Sequence, residues 1–354
     1  MSTVVKNVSG RVPRNIGTII PWIAVCLVGV TGACLAQTSP TRCRYVNVAS
    51  LPIIFAAPQP IVDGAINGVS TKILLDTGSS KTWLTRERVE RMALPLRHSN
   101  RSALGVGGES VTYTTRIDEM SIGAVRGNGL RLTVMWDVKA NAPFGAVAGA
   151  DFLFQSDIEI ALAARQLKFF RPIGCDDAFL AYWDVNASVV EFTVPSAADG
   201  RPFFTVVVNG HDMRAIIDSG AERSIIDLDA AARAGVTPQS PGAIRVPAIA
   251  GIGRHETAAW TASFQSFVIG NETIKNPRIA IASVWGAALS DSNKIKTAEL
   301  LREQPEVLLG ADFLNAHRVL FAMSQRRLYF SHVGGQVFEG EPRSARPKVD
   351  TNAR

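Results

Sequence analysis

Two acidic tripeptides stand out for the chemistry their residue types allow. They are Asp76-Thr77-Gly78 and Asp218-Ser219-Gly220, each entered through an apolar run, Ile73-Leu74-Leu75 and Ala215-Ile216-Ile217. A turn dipeptide precedes each at the same distance, Asn67-Gly68 and Asn209-Gly210, so one interval of 142 residues relates the segments (67 to 209, 76 to 218). Two carboxylates held close together cannot both ionise cheaply. They share a proton and titrate as a pair, which places a general base and a general acid side by side. Gly78 and Gly220 permit backbone conformations and a close approach that a Cβ would obstruct, while Thr77 and Ser219 set a hydroxyl beside each acid. One Asp-Thr-Gly alone reads as a turn; two in register, each ending an apolar strand, read as catalytic carboxylates.

The elements that must position them repeat as well. Gly149-Ala150-Asp151-Phe152-Leu153 recurs as Gly310-Ala311-Asp312-Phe313-Leu314, and Arg165, Leu167 and Phe169 recur as Arg326, Leu328 and Phe330, now at an offset of 161. The extra 19 residues are an insertion in the second copy, much of it within the polar stretch Ser290 to Glu306, where loops absorb growth. Asp151 and Asp312 read as caps of short helices rather than chemical groups. Between these blocks, Gly105-Val106-Gly107-Gly108 corresponds to Gly251-Ile252-Gly253-Arg254, both read as glycine-rich hairpin tips. Short apolar runs, β-branched residues and Gly, Pro, Asn and Asp punctuation predict an all-β chain. Short helices are expected at Arg86 to Met92, Leu228 to Ala234, around Asp151 to Phe154, and at Lys296 to Glu303.

The segment from Leu74 to Leu84, with Asp76-Thr77-Gly78-Ser79-Ser80 at its centre, resembles the active-site segment of pepsin-like aspartic proteases. The compact copies and the apolar-apolar-Gly-Ala-Asp blocks resemble the retropepsin-like proteases, including bacterial ones. The resemblance implies a bilobal acid-protease fold of two tandem retropepsin-like β-barrel lobes with the cleft between them. It implies a polypeptide substrate, hydrolysed without cofactor by water activated between Asp76 and Asp218, and hydroxyls of Thr77 and Ser219 that brace the two turns. The tips at Gly105, Gly107 and Gly108 and at Gly251 and Gly253 are then flap candidates that pair with an extended peptide. Trp83 with Tyr113 would instead mimic a single-flap arrangement, although Tyr113 reads more readily as an ordinary strand aromatic. Ser79 can donate to a carboxylate where its counterpart Ala221 cannot, which predicts that Asp76 is the ionised partner and Asp218 holds the proton.

The rest of the chain frames this reading. At 354 residues, 47% hydrophobic and 19% charged, it has material for two packed units. The net charge of +6 comes from scattered Lys and Arg with no basic stripe, which argues against nucleic acid. His255-Glu256 lacks the second histidine of a zinc-protease motif, no Gly-x-Ser-x-Gly elbow occurs, and the glycine tips lack a phosphate-loop Lys, so no metal site is expected. Lys6, Arg11 and Arg14 precede an uncharged stretch whose apolar heart is Ile16 to Ala36, which reads as a signal peptide cleaved after Ala36 or as an uncleaved membrane anchor; Thr31 weakens a lipoprotein reading through Cys34. An exported, periplasmic or extracytoplasmic protein follows, whose membrane contact would come only through an uncleaved leader. Removing the leader leaves Cys43 and Cys175, either a disulfide or two unrelated buried thiols. The expected organisation is a leader over 1–36, a leading strand segment over 37–57, a first lobe over 58–172, a linking strand over 173–199, a second lobe over 200–333 and a flexible tail over 334–354. One chain carrying both acids predicts a monomer. The competing reading is a peptide-binding module of the same fold that has lost turnover.

Overall fold

The computed structural model describes residues 42–56, 59–138, 141–291 and 303–338. The expected leader, the helix expected at Lys296 to Glu303 except for Glu303, and the tail beyond Phe338 lie outside the described residues.

Each acid stands at the end of a strand whose alternation is apolar enough to bury both faces near its end. Val69–Leu75 finishes on buried Ile73, Leu74 and Leu75, and His211–Ile217 on buried Ala215, Ile216 and Ile217. A short strand fills the space between the two arms of each acidic loop. Ala146–Ala148 runs parallel to Val69–Leu75 (Ile73 opposite Ala146) and antiparallel to Trp83–Thr85 (Trp83 opposite Val147). In the second copy Val307–Leu309 runs parallel to His211–Ile217 and antiparallel to Ile225–Asp227. The offsets of 142 and 161 residues therefore mark two halves of one motif, the acidic loop and the strand that fills it.

The first copy is an eight-stranded sheet that curls shut where Gln59–Ile66 pairs with the far end of Gly108–Ile122 (Ile66 opposite Met120). The second closes through the matching contact, Val208 opposite Phe267. Its long strands are broken, however, into Thr257–Ser263 with Ser266–Ile269 and Glu272–Lys275 with Arg278–Ala282. Asn276 takes a left-handed φ of 51° and Pro277 has no N–H for the ladder, which explains the second break. The helices Arg86–Arg91 and Leu228–Arg233 are capped by Thr85 Oγ1, which accepts from Arg88 N (3.2 Å), and by Asp227, which accepts from Asp229 N (3.0 Å).

A third sheet of six strands belongs to neither barrel. Asp157–Ala161 and Gln166–Ile173 from the first copy lie beside His317–Ala322 and Arg327–His332 from the second, joined where Ile158 faces Phe321. Arg44–Pro52 and Ser188–Glu191 form its edges. The lobe boundaries drawn from the repeat had assigned the four inner strands to the lobes; a repeated block reports that a strand exists, not which strand it pairs with. Cys43 and Cys175 form a disulfide with Cα atoms 4.5 Å apart, closing the end of the Arg44–Pro52 ladder. The ordered chain also runs past the expected start of the tail at 334. Phe338 is buried against Phe267, ring centroids 5.1 Å apart, because the second barrel leaves an apolar site for it.

Candidate active site

The two acidic loops meet through their hydroxyls. Thr77 Oγ1 donates to Ile217 O (2.7 Å) and accepts from Ser219 N (3.0 Å), while Ser219 Oγ donates to Leu75 O (2.8 Å) and accepts from Thr77 N (3.1 Å). Both side chains are buried, so these four reciprocal bonds across the two copies are shielded from water. They bring Asp76 and Asp218 face to face. Each glycine sits against the opposite acid: a Cβ on Gly220 would lie 2.7 Å from Asp76 Cγ, and one on Gly78 would overlap the Asp218 carboxyl. Neither glycine has positive φ, so close approach is what requires them.

Behind each loop lies a second matched set of bonds. Asp151 Oδ1 accepts from Thr82 N and Oγ1, both at 2.7 Å, and Thr82 Oγ1 accepts from Gly149 N (3.0 Å). Asp312 Oδ1 accepts from Ser224 N (2.8 Å) and Oγ (2.6 Å), and Ser224 Oγ accepts from Gly310 N (3.0 Å). The capping role expected for Asp151 and Asp312 is thus corrected. The caps are Gly149 and Gly310, without side-chain bonds, and the acids tie the outgoing arm of each loop to the strand that fills it.

The hydroxyl expected to set the asymmetry of the pair does not reach it. Ser79 Oγ donates to Lys81 O (2.8 Å) and is spent there. What reaches the acids is backbone N–H from both copies: Ser79 N to Asp76 Oδ1 (2.8 Å), and Gly220 N (2.9 Å) and Ala221 N (3.2 Å) to Asp218 Oδ1. Burial pushes both carboxyls above the ordinary range, and Asp76 is pushed further by the charge of Asp218. Asp218 is pulled back by its N–H donors, by a hydrogen bond from Asp76 and by the Arg201 guanidinium. Both carboxyls are thus held above the ordinary range, as a buried pair that shares one proton requires, and more donors gather on Asp218.

Both glycine-rich segments are hairpin tips, and they meet. Gly107 N donates to Ile252 O (2.9 Å), His255 N donates to Gly107 O (2.9 Å), and Thr257 Oγ1 donates to Val106 O (3.2 Å). Gly105 lies so close to Ile252 that a Cβ there would be 2.7 Å from Ile252 Cβ. Gly108, Gly251 and Gly253 complete the two tips, with φ of 99° at Gly108 and 113° at Gly253. Their apolar residues exchange places: Val106 packs with Phe203, Ile216, Ile225 and Leu308 of the second copy, and Ile252 with Ile61, Leu74, Trp83 and Val147 of the first. Tyr113 lies away from Trp83; its ring packs on Trp136 (4.6 Å) and His98 (5.2 Å), whereas Trp83 meets Phe144 (6.1 Å). Sequence reasoning missed the contact between Arg254 Nε and Asp137 (3.4 Å), which links the second tip to the loop beneath the first. It also missed Arg201, although that residue sits at the repeat interval of 142 from Gln59.

Two β-barrels meeting through paired acidic loops, with one carboxylate from each, define a bilobal two-aspartate architecture. The profile of the aspartyl protease family matches residues 62–146 and 204–313, together more than half of the sequence. The chain belongs to the aspartyl protease family. Among solved structures it is similar to the crystal structure of the aspartic proteinase from Irpex lacteus, at 14% identity and a TM-score of 0.46, covering 80% of this chain and 97% of that one. No curated protein matches the sequence.

Proposed function

We propose that this protein is an aspartic endopeptidase in which Asp76 and Asp218 act together on a water held between them. The observation that carries the reading is the reciprocal Thr77–Ser219 bonding that sets the two carboxyls face to face, each against the other loop's glycine. Ionised Asp218 takes a proton from the water as it attacks the scissile carbonyl. Protonated Asp76 donates to the carbonyl oxygen, and the pair then delivers a proton to the leaving amine, so no acyl-enzyme forms. An extended peptide would lie below the tips and replace their mutual hydrogen bonds with its own backbone, its side chains entering the two apolar sites now filled by Val106 and Ile252. The tips must part to admit it. The leader read from the sequence supports exported or envelope proteins as substrates.

The test is cleavage of a broad peptide library by wild type, Asp76→Asn and Asp218→Asn. Each substitution is expected to lower kcat/KM by about 10²–10⁴-fold with the fold retained. A wild type that binds library peptides and cleaves none would favour the peptide-binding module instead.

A further inference from the structure

Arg201 is buried at 6% exposure and sits where the duplication allows a direct comparison. Arg201-Pro202 lies 142 residues after Gln59-Pro60, the interval that separates the two acids. Asp199 holds its Nε (2.8 Å) and Nη2 (2.6 Å), and Gln304 Oε1 accepts from Nη2 at 3.0 Å. The remaining nitrogen, Nη1, crosses to the other copy and donates to Gly78 O at 3.3 Å. Gly78 is the residue whose missing Cβ makes room for the Asp218 carboxyl. Among the described residues Gln59 makes no corresponding bond to Gly220, so the grip is one-sided.

This geometry orients a charge. Asp199 grips one side of the guanidinium and the catalytic turn touches the other, so the ion pair is a dipole whose positive end points at the turn. The charged groups that face Asp218 are Asp76 and Arg201, and Arg201 in turn faces Asp199. Burial keeps the field of such a pair from being screened as it would be on the surface.

We propose that Arg201 is a positioning residue that makes the two aspartates unequal: anchored by Asp199, it holds the first catalytic turn at Gly78 and keeps negative charge on Asp218, so the shared proton rests on Asp76. The inference rests on the proposed peptidase reading and adds which acid plays which part. Arg201→Gln, which copies the residue of the first lobe, removes the positive end. The acid limb of kcat/KM against pH then moves upward by roughly 0.5–1 pH unit, and the carbon-13 titration of the Asp218 carboxyl moves with it. Asp199→Asn leaves the guanidinium without its counter-charge and moves the same limb downward. Arg201→Lys keeps the charge without the fork, and holds the limb near the wild-type position while lowering kcat.

A uniform loss of activity in Arg201→Gln with the limb unmoved, or a shift of both variants in one direction, would overturn the proposal. Should Arg201→Gln not fold, Asp199→Asn and Arg201→Lys decide it by the same readouts. Undiminished cleavage by Asp218→Asn would instead bring down the peptidase reading, and this inference with it; inactive Asp→Asn variants with an unmoved limb would bring down the role of Arg201 alone.

Discussion

Thr77 and Ser219 show how much of this site depends on single oxygen atoms. Replacing Thr77 by the near-isosteric Val removes one donor and one acceptor and strands Ile217 O and Ser219 N in a dry interface. The expected cost is about 2–4 kcal/mol of stability, read from urea denaturation, with activity lost in the fraction that stays folded. The acids themselves oppose the fold at neutral pH. Asp76 holds its proton above the ordinary carboxylate range, so between that range and its folded value the native chain binds more protons than the unfolded one. Stability then falls as pH rises through this window. Asp157, Asp227 and Asp312 are also raised by burial and add slopes of the same sign. Asp76→Asn should therefore flatten, without abolishing, the decline of Tm from pH 4 upward; a decline as steep as in wild type would contradict a raised Asp76 carboxyl. The acids and their glycines were legible in the sequence, because spacing marks a repeated turn, while the bracing role of the Thr77 and Ser219 hydroxyls came from the resemblance to the aspartic proteases. The fate of the Ser79 hydroxyl was not legible, since it has a nearer acceptor in Lys81 O that no spacing rule reveals.

At the level of elements, the strands and hairpins followed from apolar runs and turn residues, while their mutual contacts did not. Sequence placed two glycine tips; only the structure joins Gly107 to Ile252 and His255. The reason is physical: backbone hydrogen bonds between distant segments carry no side-chain signature, and the glycines that permit them also occur in free loops. Gly253 is the sensitive point of the junction. Its φ of 113° is strained for any other residue, and a Cβ there would overlap the Gly107 backbone. Gly253→Ala should part the tips while leaving both barrels intact. The expected result is a fall in kcat of about tenfold, because tips that no longer settle over the bound peptide position it poorly, with Tm changed by no more than about 2 °C since the barrel cores hold the stability. Faster hydrogen exchange at the Gly107 and His255 amides would show that the tips are what moved.

The molecule as a whole is held together by what the two copies share. The six-stranded sheet pairs Ile158 with Phe321, and across it buried Glu159 meets Arg318 at 2.9 Å and Lys168 at 3.3 Å. The disulfide fastens the edge strand to this sheet over a separation of 132 residues. Removing it with Cys43→Ser and Cys175→Ser together is expected to lower stability by about 3–5 kcal/mol, because so long a loop is then free in the unfolded chain, and to leave the folded enzyme active. Covalent continuity has a further consequence for activity. Where each of two chains supplies one aspartate, dilution separates the acids and specific activity falls with concentration. Here both loops come from one chain and the shared sheet binds the copies together, so specific activity should stay constant on dilution from micromolar to low nanomolar. Progress curves across that range, with sedimentation velocity at the top of it, are the measurement. A specific activity that falls in proportion to concentration would show that a second chain completes the site.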